Sequence, residues 1–177
     1  GFMFTVLLPT YLGIPVNHQG SVSGMPPADL ASGDWLVGFP LRWRQITRLG
    51  RRLPSGVAAV TSTAPCPADL ISAMQDLGLE TMLAVYGATE TAGVGYRFDS
   101  QGAYTLFPYW RRENHALRRT CDDGGELAIE AEDELVFDDA RHFRPNGRKD
   151  GVVQVAGRNI HPAEVASRLV EHPSVAQ

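Results

Sequence analysis

At 177 residues with 44% apolar content, the chain can bury one fair core, or one core with a small satellite. Its net charge of −4 and pI near 5.7 exclude a general field that gathers nucleic acid or anionic lipid, so neither is expected as a partner. No apolar run is long enough to span a membrane, none carries the charged start and cleavage site of a signal peptide, and Cys66 and Cys121 lack metal spacing. The expectation is a soluble protein of the reducing cytoplasm with structural thiols.

In chain order, residues 1–12 (GFMFTVLLPTYL) form an apolar segment that opens without a cap. Ile14, Pro15 and Val16 read as a short strand, Pro26 and Pro27 as the start of a brief helix through Leu30, and Trp35, Leu36 and Val37 as a second strand before Gly38. Pro40 begins a helix that the pattern carries to Leu53, with Trp43, Ile46 and Leu53 pointing inward. Arg44, Arg48, Arg51 and Arg52 then lie outward. Such a basic face suits a phosphate or an acidic protein partner, but a solvated helix face is the simpler reading.

Residues 57–91 are the stretch around which the rest is organised. Val57, Ala58, Ala59 and Val60 make an apolar run without polar alternation, as in a strand covered on both faces. Pro65 and Pro67 stop it, with Pro67 in the first turn of a helix whose Leu70, Met74 and Leu77 recur at helical spacing and which Gly78 ends. Met82, Leu83, Ala84 and Val85 form the next buried strand. Tyr86, Gly87, Ala88, Thr89 and Glu90 follow it, placing a ring, a hydroxyl and a carboxylate just past a strand's carboxyl end, where open parallel sheets hold ligands. The ring suits a base, the hydroxyl a phosphate, and the carboxylate Mg²⁺ held against phosphate oxygens. Taken alone, a polar turn after a strand more often binds nothing.

After Gly95, Tyr104, Leu106, Tyr109 and Trp110, then Leu127 and Ile129, then Leu135 and Phe137, give short alternating runs separated by acidic turns. These predict a small antiparallel sheet or partial barrel; Asp122 and Asp123 before Gly124 and Gly125 read as a hairpin turn rather than a calcium loop. From Asp150 onward, Val152, Val153 and Val155 predict a strand, Gly157 a turn, and residues 162–171 a helix with Val165 and Leu169 on one face.

Residues 86–91 (YGATET) resemble the Tyr-Gly-x-Thr-Glu core motif of the adenylate-forming acyl- and aryl-CoA synthetases, the superfamily that includes 4-coumarate and benzoate CoA ligases. In the same order, Ser62, Thr63, Ala64 and Pro65 resemble its Ser-Gly-Gly-Ala-Pro turn, shortened and without the paired glycines. Residues 147–150 (GRKD) and 157–173 resemble its hinge and the opening of its C-terminal domain. The resemblance implies a parallel α/β sheet subdomain of the large adenylation domain over residues 1–95. A small antiparallel β subdomain over 96–149 and the truncated start of an α+β C-terminal domain over 150–177 would follow.

Residues 1–12 resemble a helix downstream of the family's Gly/Ser/Thr-rich phosphate loop. Neither that loop nor the family's distal C-terminal lysine is in the sequence, so the chain reads as an internal fragment of a longer synthetase, inactive by itself.

The implied chemistry consumes ATP with Mg²⁺: a carboxylate attacks the α-phosphate to give an acyl-adenylate, and the thiol of coenzyme A or of a phosphopantetheine carrier protein displaces AMP. By resemblance, Thr89 contacts phosphate, Glu90 ligates Mg²⁺, and Tyr86 lies against adenine with Gly87 and Ala88 beside it, while Ala64 and Pro65 wall the base. Asp139 takes the place of the ribose aspartate, with Asp138 a competing assignment. Arg148 is a second ribose or phosphate contact, and Asp150 is the pivot between domains. The acid pocket falls near residues 91–94 and against the helices before Val57, where small and apolar residues admit an aromatic or medium acyl group.

His18, His115, His142, His161 and His172 show no metal or relay spacing, no Gly-x-Ser-x-Gly elbow occurs, and Cys66 has no basic neighbour in sequence. Gly87, Gly93 and Gly95 lack the spacing of a dinucleotide fingerprint. Two other functions stay open: a noncatalytic nucleotide-binding or scaffold module of the same fold, and an unrelated α/β nucleotide-binding domain.

Overall fold

Prolines and glycines set most of the boundaries. A computed structural model describes residues 2–18, 26–98, 101–114, 116–155, 158–172 and 174–175. The readings of His115, Gly157 and Pro173 fall outside these residues. The chain divides into two compact units, Gly1–Gly102 and Ala103–Gln177.

In the first unit, a π-helical turn, Met3–Leu7, runs into α1 (Leu8–Leu12), which ends on Gly13 at φ +65°. The strand expected at Ile14, Pro15 and Val16 does not form; Pro15 has no N–H to offer a ladder, and all three residues are exposed. Nor do Pro26 and Pro27 open a helix: residues 28–29 turn, and Asp34 closes the next turn by accepting from the Ala31 N–H at 2.8 Å.

Strands β1 (Trp35–Gly38), β2 (Ala58–Thr61) and β3 (Thr81–Ala88) pair in parallel, and β4 (Ala92–Arg97) returns antiparallel to β3. The crossovers are α2 (Pro40–Leu49) and α3 (Ala68–Asp76). Helix α2 begins on Pro40, whose missing N–H is free of cost there, and stops at Gly50, which takes φ +64°. It is therefore shorter than expected, yet Leu53 is still buried because its N–H reaches the Leu77 carbonyl at 2.7 Å beyond the helix.

Trp43, Ile46, Leu70, Ile71 and Met74 from the two helices pack on Val57, Ala59 and Met82 of the sheet. Each such side chain contributes about 1.5–3 kcal/mol when removed from water. Arg44, Arg48, Arg51 and Arg52 stay exposed, as expected.

One buried polar contact ties helix to sheet: Trp43 Nε1 donates to Thr61 Oγ1 at 2.9 Å, with both side chains sealed from solvent. Gly38 makes room for it. A Cβ at Gly38 would stand 2.8 Å from the indole ring.

In the second unit, β5 (Tyr104–Leu106), β10 (His142–Arg148) and β9 (Asp133–Phe137) pair antiparallel. Strands β6 (Arg111–Glu113), β7 (Ala116–Thr120) and β8 (Glu126–Ile129) form a separate antiparallel sheet. Residues 122–125 turn between β7 and β8, where Gly125 donates its N–H to Asp123 Oδ1 at 2.8 Å. Phe143 packs against Tyr104 and Phe137 with ring centroids 5.7 and 5.5 Å away, and Arg119 lies over the buried Trp110 ring at 5.2 Å. A two-stranded ribbon, β11 (Val153–Val155) and β12 (Arg158–Ile160), precedes α4 (Pro162–Val170), on which Val165 and Leu169 are exposed. The architecture is mixed α/β, with parallel strands in the first unit and antiparallel pairing in the second.

Replacing Thr61 by valine keeps its shape but leaves the Trp43 N–H buried without an acceptor. Thr61→Val is expected to lower unfolding stability by about 1–3 kcal/mol, and Thr61→Ser to recover most of it, read from urea midpoints at constant m-value.

Candidate functional site

Strand register builds the edge at which the candidate residues stand. Gly38 is level with Thr61, and Thr61 with Ala84, so β1 and β2 both end where β3 still has Val85, Tyr86, Gly87 and Ala88 to run. At about 3.3 Å per residue, Tyr86 lies roughly 7 Å beyond the other two strands. Tyr86, Gly87 and Ala88 are thus part of β3, not of a turn after it, because β4 pairs with them and prolongs the ladder. What they overhang is the carboxyl end of the two neighbouring strands.

Alternation along β3 puts Met82, Ala84 and Tyr86 on one face, and Met82 is packed among residues of α2 and α3. Tyr86 therefore continues the helix-covered face past its last packed layer. The turn at residues 62–65 leaves β2 at this same end, with the Ser62 N–H on the Gly38 carbonyl at 3.4 Å. Thr63 is held at φ +75°. A β-branched residue is strained there. Ala64 is half-buried and Pro65 exposed. Cys66 then turns inward, its thiol 3.9 Å from Met82 Sδ, and burial pushes that thiol's pKa up, so it is no thiolate nucleophile.

Thr89 and Glu90 form the tip of the β3–β4 hairpin, and both are exposed. Neither makes a side-chain hydrogen bond or ion pair among the described residues. Two features hold this tip. A bulge opposite Gly87 brings the Ala92 carbonyl so near that a Cβ on Gly87 would sit 1.9 Å from its oxygen, and Ala92 itself adopts φ +56°. Thr91 is 3% exposed and turns its hydroxyl onto the backbone, accepting from the Ala88 N–H at 2.9 Å. Periodicity gives no sign of this, since a hydroxyl in a polar turn reads as solvated.

Among the described residues, no group of three or more His, Cys, Asp or Glu converges as a metal site. A single free carboxylate such as Glu90 fits Mg²⁺ that takes its other ligands from phosphate and water, and it does not fit a metal held by protein alone.

Asp138, Asp139, Arg148 and Asp150 belong to the second unit. Asp139 sits in the β9–β10 connection, where its carboxylate accepts from the backbone N–H of Arg141 at 2.7 Å and of His142 at 2.8 Å, and meets His142 Nδ1 at 2.8 Å. Those bonds hold its pKa at about 2 although the group is exposed. The neighbouring Asp138 carboxylate pairs with Arg144. Arg148 donates to both oxygens of Asp150, at 2.9 and 2.7 Å, and to Glu132 at 2.6 Å. This places the Asp150 carboxyl well below the usual range, chiefly through the guanidinium, and raises the guanidinium pKa in return. Glu132 and His142, silent in the sequence, are thus the partners of two candidate residues.

A cavity of about 160 Å³ between Pro27, Leu30, Arg52 and Pro54 and another of about 200 Å³ between Arg112, Leu117, Glu134 and Lys149 are lined by none of the residues expected at the nucleotide.

No family model matches the chain. It is 34% identical over 177 residues to a 4-coumarate–CoA ligase of Halorhodospira halophila, covering 99% of this chain and 45% of that protein. A second 4-coumarate–CoA ligase, from Cereibacter sphaeroides, is 35% identical over 176 residues, covering 99% and 42%. The chain spans less than half the length of these relatives. Among solved structures, it resembles the amide bond synthetase McbA of Marinactinospora thermotolerans (TM-score 0.59, 17% identity, 81% of this chain and 37% of that one). It also resembles O-succinylbenzoate coenzyme A synthetase of Bacillus subtilis in complex with AMP (TM-score 0.53, 16% identity, 81% and 37%). At such identities these structures speak for the fold.

A carboxylate whose folded pKa is depressed adds stability above its ordinary value, and that stability is lost as pH falls through the folded value. Asp139→Asn should therefore flatten the fall in unfolding midpoint between the ordinary 3.8 and about 2, and leave the slope above pH 5 unchanged.

Proposed function

Because the chain belongs to the adenylate-forming acyl- and aryl-CoA synthetase superfamily, we propose that it is part of an ATP-dependent carboxylic acid:CoA or acid:carrier-protein ligase. The whole protein, in this reading, forms an acyl- or aryl-adenylate and passes it to a thiol. The observation that carries the reading is the overhang: a strand outruns its parallel neighbours on the helix-covered face and ends in a tip with an exposed hydroxyl and carboxylate.

In the first step, a carboxylate oxygen of the acid bonds to the α-phosphorus of ATP as the bond to pyrophosphate breaks. In the second, the thiol sulfur bonds to the acyl carbon and AMP leaves. Both steps need reactants aligned and negative charge stabilised. The Thr89 hydroxyl would donate to a phosphate oxygen, and Glu90 would hold Mg²⁺, which supplies positive charge against the phosphates. Tyr86 lies against adenine, with Gly87 and Ala88 beside it and Ala64 and Pro65 as the opposite wall. Asp139, or Asp138 in its place, accepts from the ribose hydroxyls. Arg148 contacts ribose or phosphate, and Asp150 is the pivot. Residues 1–95, 96–149 and 150–177 are then pieces of the adenylation domain, its β subdomain and the C-terminal domain. The setting is cytoplasmic, and an aryl acid is the first substrate to try.

A second reading, a noncatalytic module of the same fold, draws support from the second unit. There Asp139 is engaged by Arg141 and His142, and Arg148 by Asp150 and Glu132, so nucleotide binding has to displace internal bonds. Pyrophosphate release by the whole protein, assayed with ATP and a panel of carboxylic acids, separates the two; the ligase reading requires turnover with at least one acid. Glu90→Ala is expected to lower that kcat/KM by about 100-fold or more with the fold intact. These 177 residues alone are expected to show negligible adenylation; robust turnover by them overturns that expectation.

A further inference from the structure

Thr91 is buried within an otherwise exposed loop, and its hydroxyl meets three backbone groups at once. Oγ1 accepts from the Ala88 N–H at 2.9 Å, and stands 3.1 Å from the Ala92 carbonyl and 3.4 Å from that of Ala88. A hydroxyl has one proton, so the shorter contact makes Ala92 its main acceptor. Ala88 and Ala92 are also the last cross-strand pair of β3 and β4. The side chain therefore closes a ring across the base of the tip, with Thr89 and Glu90 looped outside it. The Ala92 carbonyl it holds is the one that crowds Gly87, so both sides of the hairpin are fixed at one atom.

We infer that Thr91 is the positioning residue of the nucleotide site: it sets the directions in which Thr89 and Glu90 present their hydroxyl and carboxylate to a metal-bound polyphosphate. The inference rests on the ligase reading and deepens it, because it gives Thr91 a role at the phosphate end. The physical reason is entropic. A tip with one free carboxylate has no other side-chain anchor among the described residues, and without the ring each turn conformer would have to be frozen by the ligand at the expense of affinity. The Thr91 hydroxyl is taken up by the backbone, so the expected signature is weaker binding of the magnesium nucleotide with the acid unaffected.

The test uses the whole ligase with Thr91→Val, which keeps the shape and removes the hydroxyl, and Thr91→Ser, which restores it. Thr91→Val is expected to raise the KM for Mg–ATP about tenfold and to increase the Mg²⁺ requirement, with the acid KM within about twofold of the parent; Thr91→Ser should return both to parental values. An unchanged Mg–ATP KM, or a rise confined to the acid KM, overturns the inference. Thr91→Ala carries the same comparison should the valine variant fail to fold. Amide hydrogen exchange supplies a readout independent of activity: amides of residues 88–92 should exchange faster in Thr91→Val and the rest of the sheet should not, while unchanged exchange at the tip overturns the claim. If the parent releases no pyrophosphate with any acid, the ligase reading falls and the exchange measurement alone decides the positioning role.

Discussion

A buried hydrogen bond from the Trp43 indole to the Thr61 hydroxyl sets the level at which the parallel strands end. It joins the first turn of α2 to the last residue of β2, and the ring can reach that far only because Gly38 ends β1 without a side chain. The indole N–H would be costly to bury unpaired, and so would the threonine hydroxyl. Their mutual satisfaction makes one helix position compatible with one strand position. Everything at the edge inherits that registration: Thr61 is followed at once by the turn carrying Ala64 and Pro65, and lies level with Ala84, two residues before Tyr86 on the same face.

Beyond that level β3 has lost β2 and is paired by β4. Strand β3 keeps its hydrogen bonds only because β4 doubles back on it, and the doubling back needs a residue without a Cβ at Gly87 and a left-handed residue at Ala92. Thr91 closes the structure from inside. Thr89 and Glu90 are left with polar side chains in solvent and no partner among the described residues, while the strain at Thr63 lies in the turn that follows β2. Strain and unpaired polar groups are easiest to retain where a ligand uses them.

The second unit shows the opposite economy. Its charged candidates are neutralised by their own neighbours: Asp139 by two backbone N–H groups and His142, and Asp150 by Arg148, which also reaches Glu132. These pairs are exposed, so water screens them and each contributes little to stability, but they orient the side chains. A nucleotide that takes up Asp139 or Arg148 exchanges bonds instead of filling a vacancy.

Local chemistry determined a good deal from the sequence alone. The unbroken apolar runs at residues 57–60 and 82–85, the helical recurrence of Leu70 and Met74, and the turn residues 122–125 are short-range patterns, and each appears where it was expected. The ordered motifs at residues 62–65, 86–91, 147–150 and 157–173 were enough to name a family. What failed was an element whose existence depends on a partner: Ile14 to Val16 look like a strand but pair with no strand among the described residues, while β4, with its glycines, gives no strand signal until β3 offers it a ladder. Only the tertiary structure decided that Tyr86 stands within a strand that outruns its neighbours, that Thr91 faces inward, and that Glu132 and His142 engage two of the candidate charges. Each of these is a matter of register or of contact between distant residues, set by which strand lies alongside, and no window of sequence contains the neighbour.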